Sequence, residues 1–66
     1  MCLFKVYLEE GGGSRRLVAQ EVSAAEKAGG KVRLFSSTLK EVASVEGAEI
    51  VRVDTLNEVL LLKAST

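Results

Sequence analysis

Four consecutive apolar residues, Val59-Leu60-Leu61-Leu62, stand near the end of a chain of 66 residues. A strand that is apolar at every position needs cover on both of its faces. Ile50, Val51 and Val53 nearly repeat the pattern. A chain this short buries only about 60% of the surface that its unfolded form exposes. A lone core of this size rarely supplies more than about 3–5 kcal/mol without a staple, a metal or a partner chain. One cysteine forms no internal disulfide. Two answers remain open for the second face of residues 59–62: a second copy of the chain, or a tightly closed small barrel that leaves a leucine or two exposed.

The rest of the chain reads as one domain over residues 1–66, without an internal repeat, low-complexity tract or linker. Residues 1–8 alternate: Cys2, Phe4, Val6 and Leu8 face one way, and Leu3, Lys5 and Tyr7 the other. That period of two predicts a half-buried strand. Lys31–Ser36 predicts a second strand with Val32 and Leu34 inward; Glu49–Asp54 and Glu58–Lys63 predict two more. Gly11-Gly12-Gly13 predicts a loop or loose hairpin, and Thr55-Leu56-Asn57 a hairpin connection with Asn57 left-handed.

The middle admits two readings. Ser14–Ala28 is rich in Ala and Glu, places Val18, Val22 and Ala25 at helical spacing, and ends at Gly29. Local propensity favours a helix there. Two short strands, Arg15–Gln20 and Glu21–Ala28, with a tight Gly29-Gly30 turn are the alternative. Thr38–Glu46 repeats the helical pattern in miniature, with Leu39, Val42 and Val45 apolar.

Several chemistries are excluded. Without histidine there is no imidazole base and no His-rich metal cage. Ser14, Ser36 and Ser37 have no activating base, so the chain reads as a non-enzyme. The acids are scattered without a dyad or calcium-loop spacing. No Lys-Ser/Thr follows the glycine run, so the phosphate-loop pattern fails. Nine basic residues balance nine acidic ones, which offers no general attraction to nucleic acid. A small β-barrel that stacks RNA bases, or meets a protein partner, through Lys5, Tyr7, Arg33 and Phe35 is the alternative function. No stretch approaches the about 20 apolar residues of a membrane span, and Met1–Glu10 does not read as a signal peptide. A cytoplasmic protein with a reduced thiol is the expectation.

Cys2 is the one soft ligand of note. By alternation it belongs with Phe4, Val6 and Leu8, and a buried cysteine packs as a small hydrophobe. Its place beside the amino terminus permits a second role. With Met1 removed, the α-amine and thiolate form an N,S chelate; with Met1 retained, the amine, the Cys2 amide nitrogen and the thiolate form a tridentate set. Both suit the square-planar preference of Ni(II) or Cu(II). One chain supplies too few ligands, and two chains about a two-fold axis supply two copies.

Met-Cys-Leu with Lys5-Val6-Tyr7-Leu8 resembles the CooT family, short nickel-binding proteins associated with maturation of carbon monoxide dehydrogenase. The likeness continues through Val18-Ala19, Val22, Gly29-Gly30-Lys31-Val32-Arg33-Leu34, Val45-Glu46-Gly47-Ala48-Glu49-Ile50, Val53-Asp54 and Val59–Leu62. Phe35-Ser36-Ser37-Thr38-Leu39 departs from the family pattern. The resemblance implies an all-β fold, a small antiparallel barrel of six or seven short strands, and strands rather than a helix over residues 14–28. It further implies a homodimer with Ni(II) held at the interface by Cys2 and nearby backbone nitrogen of both chains. A nickel enzyme such as carbon monoxide dehydrogenase, or its maturation factors, would be the partner.

Overall fold

The computed structural model describes residues 3–65. The segment with the strongest helical propensity is extended throughout. Arg15–Val22 forms β2 and Ala24–Ala28 forms β3, on either side of Ser23. The remaining strands are β1 (Phe4–Glu9), β4 (Lys31–Phe35), β5 (Glu41–Glu46), β6 (Ala48–Asp54) and β7 (Val59–Ala64). Tertiary pairing overrides propensity here: every residue of β3 has a partner in β4, from Ala24 opposite Phe35 to Ala28 opposite Lys31. The helical spacing of Leu39, Val42 and Val45 is equally overruled. In β5 Ala43 and Val45 pack on the core while Val42 faces out, which is a period of two.

The strands form a four-stranded sheet in the order β2-β1-β7-β6 and a three-stranded sheet in the order β3-β4-β5. Two features depart from the expected antiparallel barrel. The first and last strands, β1 and β7, pair in parallel, with Val6 opposite Leu60 and Leu8 opposite Leu62. The sheets also do not close: among the described residues no ladder joins β2 to β5 or β3 to β6. The chain instead passes between the sheets at two corners. One is Ser23, whose N–H donates to the Phe35 carbonyl at 2.9 Å. The other is Gly47, with a φ of +66° in the left-handed region that suits glycine.

The core lies between the sheets. Val6, Leu8, Leu60 and Leu62 meet Val32 and Leu34, and Val22 and Ala48 fill the two corners. The inward placing of Val32 and Leu34 is as the sequence predicts; both are fully buried. Leu61 faces the other way yet is only 8% exposed. Its register partner on β1 is Tyr7, Tyr7 in turn faces Leu17 on β2, and a bulge sets Val51 and Arg52 of β6 beside Leu61. The second face of β7 is thus covered from within its own sheet. The apolar surface left over lies chiefly on β6, where Ile50, Val51 and Val53 are 37%, 50% and 59% exposed.

The β6–β7 turn also differs in detail from expectation. Asn57 donates its backbone N–H and its side-chain amide to the two carboxylate oxygens of Asp54, both at 3.0 Å. The left-handed residue is Glu58, with a φ of +56°. No helix among the described residues is long and apolar enough to cross a membrane.

Candidate metal centre

Cys2, the residue singled out as a metal ligand, lies outside the described residues, as does Met1. The description begins at Leu3, which is 38% exposed, and Phe4, the first residue of β1. Phe4 forms one wall of an open cleft of about 220 Å³ in the seam between β3 and β6. Val22, Ile50, Val53 and Leu60 supply most of its apolar lining, and Ala24 and Ala25 its β3 side. Lys27 and Glu49 face each other at 3.8 Å across the same pair of strands.

One polar group interrupts this lining. The Ser23 hydroxyl oxygen is buried and has no hydrogen-bond partner among the described residues. Such groups are few in native proteins and call for an explanation. Sequence reasoning missed Ser23, since a serine between two extended segments looks like any other turn residue.

No group of three or more His, Cys, Asp or Glu side chains among the described residues is placed to hold a metal. Among the described residues, six of the nine acids take part in ion pairs. Glu9 meets Arg15 at 3.4 Å and Glu10 meets Arg16 at 3.3 Å, which neutralises the arginines beside the glycine turn. Asp54 titrates below its ordinary value of 3.8 because the Asn57 amide, and then the Asn57 N–H, donate to its carboxylate; Arg52 adds to this.

The residues considered for RNA stacking do not converge. Tyr7 and Lys5 stand on the β1 face opposite Val6 and Leu8, and Arg33 and Phe35 on the β4 face opposite Val32 and Leu34. The two pairs therefore lie on opposite outer faces of the sandwich. Arg33 is further committed at home: it contacts Glu41 at 2.8 Å and Glu26 at 3.3 Å and sits 5.1 Å from the Phe35 ring centre.

A search of curated proteins finds no match to this chain. Comparison with protein families matches residues 1–63 to the CO dehydrogenase accessory protein CooT. The match spans both corners, all but the last residue of β7 and the amino-terminal Met1-Cys2, and the chain therefore belongs to the CooT family of CO dehydrogenase accessory proteins.

Proposed function

We propose that this protein is a nickel-binding accessory protein, a metallochaperone rather than an enzyme. Two copies hold Ni(II) between them through Cys2 of each chain, for maturation of a nickel enzyme such as carbon monoxide dehydrogenase in the cytoplasm. The observation that carries this reading is the family match over residues 1–63, which includes the chain's one thiol.

The chemistry of the donor set fits the ion. A thiolate next to backbone nitrogen, doubled by a two-fold axis, suits a square-planar d⁸ centre. The described residues offer no competing group of His, Cys, Asp or Glu ligands. The exposed apolar residues of β6 supply surface for a second copy. The metal is cargo in this reading, so the chain's task is capture and release.

Titration of the reduced protein with Ni(II), followed by native mass spectrometry, tests it. The expected end point is one ion per dimer, with binding lost in Cys2→Ser. Binding that survives Cys2→Ser overturns the proposal.

A further inference from the structure

Two sheet edges face each other without a ladder where β2 passes β5, and an open cleft of about 590 Å³ lies between them. Five consecutive residues, Ala43 to Gly47, line one side, and Arg16 to Val18 line the other. Successive residues of a strand point to opposite faces, so consecutive residues in one lining mean that the cleft runs along strand edges and not across a sheet face. Among the described residues β2 pairs only with β1 and β5 only with β4. Both edges therefore present open backbone N–H and C=O groups. On the core side the lining is apolar: Leu8 is buried, and Val18 and Val45 pack against the core.

This cleft selects its occupant by shape and chemistry. Polar backbone on two sides with apolar side chains beneath matches an extended peptide segment. In a sheet, one residue advances about 3.3 Å, takes about 4.8 Å of width and about 10 Å of depth, roughly 160 Å³ in all. The cleft holds about three or four such residues. A folded second copy cannot supply them. A strand set between β2 and β5 needs both of its edges free, whereas every described strand of this chain already has one edge paired. Nucleic acid does not fit either. Glu10 neutralises Arg16 at 3.3 Å, and Glu46 adds a negative charge that no ion pair among the described residues answers.

We propose that the β2–β5 seam is a docking site for an extended tail or linker of a partner protein. The segment adds a strand there, with apolar side chains at alternate positions and a basic residue beside Glu46. In strand addition of this kind, main-chain hydrogen bonds give affinity and alternate side chains give specificity. The proposal makes no use of nickel or Cys2. The other seam, between β3 and β6, is too small for the role: its cleft of about 220 Å³ holds little more than one residue of strand.

The test uses the full-length reduced protein and a blocked peptide of alternating valine and threonine with a lysine at each end. A titration followed by amide NMR is expected to shift Arg16 to Val18 and Ala43 to Gly47, and to slow hydrogen exchange at the β5 amides that face the seam. The same peptide with N-methyl groups along one edge is expected to bind about 10-fold more weakly or worse, since each lost hydrogen bond is worth up to about that factor. Replacing the lysines of the peptide by glutamate is expected to weaken binding, and Glu46→Lys to reverse that preference. The proposal is overturned by an absence of shifts at millimolar peptide, by shifts centred away from the seam, or by equal binding of the methylated peptide. Protection of the β5 amides that rises with protein concentration, without peptide, would assign the seam to strand exchange with a second copy and overturns it too. None of these outcomes depends on the nickel titration.

Discussion

The N–H of Gly47 donates to the carbonyl of Gly30 over 2.7 Å. This bond ties the β3–β4 turn to the corner at which the chain crosses from one sheet to the other. The Gly47 carbonyl in turn accepts the Ser65 N–H at 2.6 Å, so the end of β7 is fastened to the same point. Where no ladder closes the sheets, this corner joins them beside the shared core and the Ser23 corner.

Gly47→Ala tests how much the corner depends on its backbone. The residue has a φ of +66°, and an added Cβ meets nothing within 4 Å. The expected loss of stability, about 1–2 kcal/mol, is therefore conformational and not a clash. Gly30→Ala is the control: its site is equally open and its φ is not positive, so little change is expected. Urea denaturation of the two variants checks this. A midpoint for Gly47→Ala equal to that of Gly30→Ala would show that the corner relaxes.

The alternation of residues 1–8 and the inward pair Val32 and Leu34 made β1 and β4 readable from sequence, because one strand buried on one face writes a period of two. β2 and β3 were not readable from local pattern. Their alanines carry helix propensity, and only pairing, of β2 with β1 and of β3 with β4, makes them strands. The parallel contact of β1 with β7 joins the two ends of the chain, and no local signal records such a pairing. In the last turn Asp54 consumes the Asn57 N–H, which moves the left-handed position to Glu58. Of the candidate site, the sequence named the thiol but not Ser23, whose interest lies in a burial that only the corner creates.

Leu61 separates two explanations of the all-apolar final strand. If its outward face is covered by Tyr7 and the β6 bulge, as the register indicates, then Leu61→Ala weakens the fold by about 2–3 kcal/mol. Leu56, 89% exposed in the β6–β7 turn, is the reference, and Leu56→Ala is expected to stay within about 0.5 kcal/mol. Thermal and urea unfolding at several protein concentrations measure both. A Leu61→Ala penalty that vanishes on dilution would assign its cover to a second copy instead.

Asp54 gives a pH signature. Its carboxyl is held below the ordinary value first by the Asn57 amide and then by the Asn57 N–H. A carboxylate with a depressed folded-state pKa stabilises the fold above its unfolded pKa, and that contribution fades as the pH falls through the folded value. The window thus lies at and below 3.8. A carbon-detected NMR titration of Asp54 in the wild type and in Asn57→Ala reads it directly. In Asn57→Ala the midpoint is expected to rise toward 3.8. An unmoved midpoint would assign the shift to the backbone N–H of residue 57, which the variant keeps, and to Arg52, which lies 3.7 Å away.

Metal and assembly are coupled if the site forms only where two chains meet. A ligand that binds the dimer and not the monomer stabilises the dimer by mass action, by about 2.7 kcal/mol at a hundred times its dissociation constant. Sedimentation velocity of the reduced protein near its monomer–dimer midpoint is the measurement. Ni(II) is expected to raise the dimer fraction in the wild type, a chelator to reverse the change, and Cys2→Ser to abolish the response. Val53→Glu places a charge on the most exposed of the three apolar β6 residues, at 59%, and is expected to lower the dimer fraction with and without metal. A dimer that ignores Ni(II) and resists Val53→Glu would place the contact between chains away from both the amino terminus and β6, leaving each Cys2 to bind alone.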